Sequence, residues 1–366
     1  MEGMELEKLA LNFIPNIGAV TVKNLISYCG GIEYVFTAKK SKLKSIPGIG
    51  EIRANDIING MNKALKSAES ELNKLEGKGI KVVFYLDDEY PYKLKQYDDA
   101  PLTLYTKGEI NLNAPRVVAI VGTRKITSYG IIECEKLISG LQAYDCTIIS
   151  GLAYGVDTIA HRKSVELGMP TIGVLGNGIN KIYPATNKSL ATKMLYNGGL
   201  ISEYPLDTKP DRENFPKRNR VIAGMSDVVV IIESAEKGGS IITAEYANEY
   251  NKDVFAIPGR TGDEMSEGCN NLIKHHKAHL CTSAEDIAYI MRWDKAALGV
   301  QMELVMDLDE DETRLINLIK AEPKIGLDSL HYKTKIPLAL LTTTLLNLEF
   351  KGLVKPLPGK KYILAR

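Results

Sequence analysis

The sequence predicts an α/β protein in which a doubly wound, mainly parallel sheet lies between a small helical module and a winged-helix module. Three observations lead there. From about Ile80 onward, apolar runs of strand length recur, and they are continuous instead of alternating; such runs indicate strands covered on both faces. Most of the later runs lead into Gly or Ser and then into residues at helical spacing, the rhythm of parallel strands joined by helices. The chain ends read differently, with a repeated Ile-Pro-x-Ile-Gly turn near the start and three helices before two short strands at the close.

In chain order, "IPNIGAVTVKNLI" from Ile14 and "IPGIGEIRANDII" from Ile46 align in register. Each core is a tight turn opening an amphipathic helix, so residues 1–75 read as a helix-hairpin-helix (SAM-like) unit. Such a hairpin can present backbone N–H groups to a nucleic-acid phosphate. A packing module without a binding role accounts for the same residues equally well. The strand runs fill residues 76–292: Ile80–Leu86, Arg116–Val121, Cys146–Ser150, Thr171–Leu175, Asp227–Glu233 and Asp253–Ile257, with a shorter one inside "GLISEYP" at 199–205. An acidic, weakly structured linker is expected over 293–308, and a winged-helix unit over 309–366. Its third helix, Ile336 to Phe350, holds no Arg or Lys and one Asn. A groove-reading helix needs such side chains, so this unit is expected to contact protein.

Composition narrows the function classes. At 366 residues, with 45% hydrophobic and 25% charged residues, the chain suits a soluble protein of two or three domains. The opening "MEGMELEKLALNFIPN" is not a signal peptide, and no uninterrupted apolar run reaches membrane length. The five cysteines form no CxxC and no His-interleaved cluster. They read as reduced core thiols of a cytoplasmic protein without structural zinc. A net charge of +1 means that any anion site must come from local clustering.

In an open α/β sheet, ligands bind outside the carboxyl ends of the strands. Those ends carry "GTRK" (122–125), "SGLAYGVD" (150–157), "GNGINKIYP" (176–184), "SEYP" (202–205), "ESAEKGGS" (233–240) and "PGRTG" (258–262). Gly lets a ligand backbone approach peptide N–H groups, and helix N-termini add partial positive charge. That suits an extended, phosphate-bearing ligand. "TKPDRENFPKRNRVIAG", 208–224, holds Lys209, Arg212, Lys217, Arg218 and Arg220 around Phe215. Basic residues with an interleaved aromatic suit single-stranded nucleic acid; a solvated basic face, with Phe215 as a hydrophobic staple, fits the stretch too.

Other chemistries find little support. There is no G-x-x-x-x-G-K-[ST] loop, and Lys181 stands where the third Gly of a dinucleotide loop belongs. Asp157 and His161, at i and i+4, read as a core-locking pair because no nucleophile accompanies them. His275, His276 and His279 lack the Cys or carboxylate partners of a metal site.

Taken together, "AIVGTRKITSYG", "SGLAYGVDTIAH", "GVLGNGINKIYPATN", "SEYP", "NFPKRNRVIAGMSDVVVIIES", "KGGSIITAEYA", "DVFAIPG" and "EGCNNLIKHHKAHL" stand in one order and spacing. That ordered set resembles the DNA-processing protein A (DprA/Smf) family, densely from Leu86 to about Ile290. The resemblance implies an extended Rossmann-like sheet domain that binds single-stranded DNA without catalysis. It also implies a cytoplasmic homodimer, assembled through that domain, that protects incoming DNA and loads the RecA recombinase during natural transformation and recombination. No cofactor or metal is implied. Carried over residue by residue, the phosphate turn falls on Gly122, Thr123 and Arg124, with Lys125 beside it. The base-stacking aromatic falls on Phe215, followed by Arg218 and Asn219 and preceded by the basic Arg212. Gly151, Lys217, Gly239 and Ser240 complete the candidate DNA-binding set, "GGS" replacing the family's "SGS".

"KGGSIITAEYA" is also similar to the P-G-G-x-G-T-x-x-E loop of Rossmann-like nucleotide phosphoribohydrolases, with Glu245 in register with the acid. Lys237 for Pro, Ile241 for Gly and a Thr243 one place late count against that enzyme.

Overall fold

The computed structural model describes residues 2–295, 309–322, 324–351, 353–357 and 359–364. They fall into two compact units, Met1–Ala296 and Ala297–Arg366.

The first unit opens with helices α1 (Glu2–Ala10), α2 (Ala19–Cys29), α3 (Ile32–Phe36), α4 (Lys40–Lys44) and the long α5 (Glu51–Leu75). The repeated turns do what their sequences predict: Gly18 caps α2 and Gly50 caps α5. The variable residue of each turn is left-handed, Asn16 at φ 60° and Gly48 at φ 82°. Asn and Gly tolerate that conformation best. Gly60 of α5 lets Pro15 approach; a Cβ there would lie 2.5 Å from the proline ring. The helices share one core with the sheet edge, where Ile14, Ile57 and Ala68 belong to the same buried cluster as Phe84, Tyr105 and Leu200.

The sheet contains β1 (Lys81–Phe84), β2 (Thr103–Glu109), β3 (Val117–Val121), β4 (Thr147–Ser150), β5 (Thr171–Leu175), β6 (Gly198–Ser202), β7 (Val228–Ile231), β8 (Asp253–Ala256) and β9 (His279–Leu280). Among the described residues its order is β1-β2-β6-β5-β4-β3-β7-β8-β9. The seven strands from β6 to β9 run parallel, and β1 and β2 add an antiparallel edge. Helices α6 (Tyr92–Lys95), α7 (Ser128–Leu141), α8 (Val156–Glu166), α9 (Lys188–Met194), α10 (Asn214–Met225), α11 (Gly239–Glu249), α12 (Glu264–Lys274) and α13 (Ala284–Met291) cover it.

The continuous apolar strands are explained by β3. Val117, Ala119 and Val121 enter the core on one face, and Val118 and Ile120 enter the core on the other. Successive side chains alternate faces, so a strand between two helical layers must be apolar throughout. Two strands escaped the sequence reading. β2 carries Thr106 and Lys107 and has no apolar run, and β9 is two residues long. Chain order reverses at β3, with β4, β5 and β6 on one side and β7, β8 and β9 on the other. A crevice opens at such a switch point.

The second unit has helices α14 (Glu310–Ala321), α15 (Leu327–Thr334) and α16 (Leu338–Phe350) and strands β10 (Ile325–Gly326), β11 (Val354–Leu357) and β12 (Lys361–Leu364). Three helices with a small antiparallel sheet in the order β10-β12-β11 form a winged helix. Leu315, Leu330, Leu341 and Leu345 fill its core. The linker expected at 293–308 lies mostly outside the described residues.

Among the described residues no helix is long and apolar enough to cross a membrane. The five cysteines are free and buried, as the sequence suggested. Burial pushes the thiols of Cys146, Cys269 and Cys281 up to about 12.

Candidate nucleic-acid interface

Outside the carboxyl ends of β3, β4, β5 and β7 lies a cleft of about 840 Å³. Ten of the twelve candidate residues line it: Gly122, Thr123, Arg124, Lys125, Arg212, Phe215, Arg218, Asn219, Gly239 and Ser240. Five basic side chains border it (Lys181 being the fifth beyond Arg124, Lys125, Arg212 and Arg218), against the single carboxylate of Asp157.

The turn after β3 is held from below. The Thr123 N–H donates to the Glu233 carbonyl at 2.7 Å, and the Thr123 carbonyl accepts from the Val156 N–H at 3.2 Å. Gly122 is required there, since a Cβ would come within 2.5 Å of Val156 and 2.9 Å of the Glu233 carbonyl. Arg124 and Lys125 project from this fixed turn and are exposed. The helix that follows is not a phosphate seat, which corrects part of the sequence reading. Glu233, 3% exposed, already fills the N-terminus of α7. Its carboxylate accepts from the Thr127 N–H at 2.9 Å and from the Thr127 hydroxyl at 2.5 Å. The Thr127 Oγ in turn accepts from the Gly130 N–H.

The open helix terminus is that of α11. It begins at Gly239 with no side-chain cap and no acid in its first turn, so its leading N–H groups lack intrahelical partners. Added volume at Gly239 would meet nothing within 4 Å. Ser240 is buried, its hydroxyl donating to the Ser234 Oγ at 2.9 Å.

Phe215 stands on the first turn of α10, half-buried. Its ring lies on the backbone at Gly176, where a Cβ would come within 2.9 Å of Cδ1. The Arg124 guanidinium sits 5.5 Å from the ring centroid, and the Tyr183 ring centroid 5.6 Å from it. Tyr183 is 44% exposed. Tyr183 and Lys181 escaped the sequence reading, although "GNGINKIYP" was placed at the strand ends. The available signal was an aromatic beside a basic residue in a loop of that kind.

The basic stretch 208–224 is not a cluster in space, because a helix turns its residues outward in different directions. Arg212 enters the cleft, whereas Lys217 is exposed and points to Glu213 at 3.9 Å. Arg220 forms a largely buried ion pair with Glu203 of "SEYP", whose carboxyl is raised by burial and lowered in part by Arg220. Arg218 is 4% exposed. Its Nη1 donates to the Gly151 carbonyl at 2.8 Å and to the Val174 carbonyl, and its Nε donates to the Asn219 Oδ1 at 3.2 Å.

Below Arg218, the Asp157 carboxylate accepts from the Gly151 and Ala153 N–H groups, both at 3.2 Å. Gly151 leaves room for both side chains; a Cβ would fall 2.6 Å from Arg218 Nη2 and 2.7 Å from Asp157 Oδ2. Burial lowers Arg218 to about 10, opposed by Asp157 and reinforced by Arg124, so it stays charged at neutral pH. Burial raises Asp157, and Arg218 offsets part of that rise. Gly151 and Lys217 therefore do not line the cleft, and Arg218 forms its floor. Asp157 and His161 do not face each other: the His161 Nδ1 bonds the Thr171 hydroxyl at 2.7 Å.

Glu245, the acid of the hydrolase reading, is exposed on α11 and is not part of the cleft lining. Among the described residues no group of His, Cys, Asp and Glu is placed to hold a metal ion.

Comparison with known proteins gives matches along the chain. The family model described as DNA recombination-mediator protein A matches residues 81–292, and the one described as DprA winged helix domain matches residues 303–360. Protein Smf of Synechocystis sp. is 31% identical over 390 residues, spanning 97% of each chain. DNA processing protein DprA of Streptococcus pneumoniae is 42% identical over 202 residues, spanning 55% of this chain and 71% of that one. Its X-ray structure superposes with a TM-score of 0.67 at 31% identity, covering 79% of this chain and 98% of that chain. A structure of DNA processing protein A from Helicobacter pylori, described for its single-stranded DNA binding mode, matches with a TM-score of 0.54 at 29% identity. It covers 59% of this chain and 97% of that one. With a family model matching more than half of its length and a full-length relative above 30% identity, the chain belongs to the DprA/Smf family.

Proposed function

We propose that the cleft binds single-stranded DNA without base specificity. The observation that carries this reading is the Arg124–Phe215–Tyr183 group: a guanidinium on a rigid turn over the Phe215 ring, which in turn packs on the Tyr183 ring, at a strand-end crevice. The guanidinium holds a phosphate while an unpaired base stacks on a ring, an arrangement a duplex cannot use because its bases are already stacked. Lys125, Lys181 and Arg212 surround the path, and the open start of α11 at Gly239 and Ser240 offers further N–H donors. Arg218 and Asp157 keep the floor rigid, and Asn219 fixes Arg218 in turn.

For the wider role we infer the following. The protein protects incoming DNA and loads the RecA recombinase during natural transformation and recombination, as a cytoplasmic homodimer joined through the sheet unit, without cofactor or catalysis. Membership of a family whose named members are DNA processing proteins supports this reading. The test is an electrophoretic shift with single-stranded and double-stranded DNA of equal length. Preferential retardation of the single strand is expected; equal affinity for both would refute the reading.

A further inference from the structure

A second groove, of about 510 Å³, lies between α5 and the segment 205–208. Lys63, Lys66, Ser67, Ser70 and Lys74 line it from α5. Positions 63, 66, 67, 70 and 74 recur at helical spacing, so they form one stripe. The facing wall is Pro205, Asp207 and Thr208, with Phe13 at the side.

The groove carries unbalanced positive charge. Its two carboxylates are already engaged: Asp207 with Lys74 at 2.5 Å, and buried Glu71 with the Leu206 N–H at 2.6 Å. Lys63 and Lys66 are exposed, and among the described residues neither has an ion-pair partner. Ser67 and Ser70 add hydroxyl donors between the cations.

Its position is the second observation. The wall segment runs directly on through Lys209 to Pro210 and Arg212, which line the first cleft. The Gly178 N–H donates to the Thr208 carbonyl at 3.0 Å, joining the wall to the loop that bears Lys181 and Tyr183. The two concavities therefore share one wall, and exposed Lys181, Lys209 and Arg212 stand along it. A solvated lysine face would need none of this continuity.

We propose that this groove is the continuation of the DNA track: a single strand leaving the Phe215 cleft passes over Lys209 and lays its phosphates along Lys63 and Lys66. The inference rests on the cleft being a single-strand site. It gives the first helical segment a share in binding through the flank of α5.

The test is the affinity of oligothymidylates from about 4 to about 16 nucleotides for the full chain, the Lys63→Ala/Lys66→Ala variant and Phe215→Ala. Both lysines are exposed on a helix, where Ala is well tolerated. For strands long enough to reach α5, the double variant should bind more weakly, and its log–log salt slope should be shallower by about 1.4, two phosphate contacts on a single strand. Its deficit relative to wild type should therefore shrink about sevenfold between 50 and 200 mM salt. For the shortest strands it should match wild type. Equal affinities at every length, or an equal loss at every length, would overturn the proposal. Failure of the cleft reading looks different: Phe215→Ala would then leave the shortest strands unaffected.

Discussion

The Arg124 guanidinium lies 5.5 Å from the centre of the Phe215 ring, although 91 positions separate the two residues in sequence. The turn after β3 carries one and the first turn of α10 carries the other, and the Gly176 backbone supports the ring from beneath. A cation over an aromatic face is attracted to it, so each residue fixes the position of the other before any DNA arrives.

That pairing predicts coupled substitutions. Arg124→Ala should weaken single-strand binding alike for all sequences and reduce the salt slope by about 0.7. In a double-mutant cycle with Phe215→Ala, the losses should fall short of additive by about 0.5–1 kcal/mol. Lys217→Ala, outside the cleft lining, serves as the control and should leave the slope nearly unchanged. Strict additivity would show that the two side chains act independently.

Arg218 should matter for folding before it matters for DNA. Replacing it by Ala strands the Asp157 carboxylate and frees the Gly151 and Val174 carbonyls in a buried site. Leaving a buried acceptor unsatisfied costs about 1–3 kcal/mol, which denaturant unfolding will show as a lowered midpoint. Arg218→Lys should recover little, because an ammonium cannot match the planar fork that spans both strand ends. A wild-type midpoint for Arg218→Ala would contradict this structural role.

His161 predicts a pH dependence. Burial, assisted by Arg218, lowers its pKa to about 3. Between the unfolded value of about 6.5 and that folded value, the unfolded chain binds a proton that the native imidazole refuses. Stability from this group is therefore complete above pH ~6.5 and declines as pH falls, by up to about 1.4 kcal/mol per pH unit. His161→Gln should flatten that part of the profile. The check is the difference in unfolding free energy between wild type and variant from pH 4 to 7; parallel profiles would contradict it.

The winged helix should be dispensable for single-strand affinity. Its core is self-contained, and its third helix, α16, carries no Arg or Lys. Removing residues 309–366 should change affinity by less than tenfold, about 1.4 kcal/mol, as measured by fluorescence anisotropy. A larger loss would assign DNA contacts to that unit.

The sheet was legible because β3, β4, β5, β7 and β8 are short runs, largely apolar and buried on both faces, followed by turn residues, the mark of strands between two helical layers. β2 was not, since an antiparallel edge strand bearing Thr106 and Lys107 lacks the signal. The candidate site was legible where a Gly reported close backbone approach, at Gly122. It was misleading where sequence neighbours were counted as spatial neighbours. Lys217, Arg218 and Arg220 lie within four residues and point to solvent, to the strand ends and to Glu203. Tyr183 reaches Phe215 only through tertiary packing, which one-dimensional spacing does not encode.

The central claim is that an unpaired base stacks in the cleft, and the most direct measurement is the affinity of Phe215→Ala for a single strand and for its duplex. With the fold confirmed by circular dichroism, the variant should lose about 1–3 kcal/mol on the single strand. Its salt slope should stay near the wild-type value and its duplex affinity should not change, so the preference for single strands collapses. An unchanged single-strand affinity, or an equal loss on both substrates, would contradict the account.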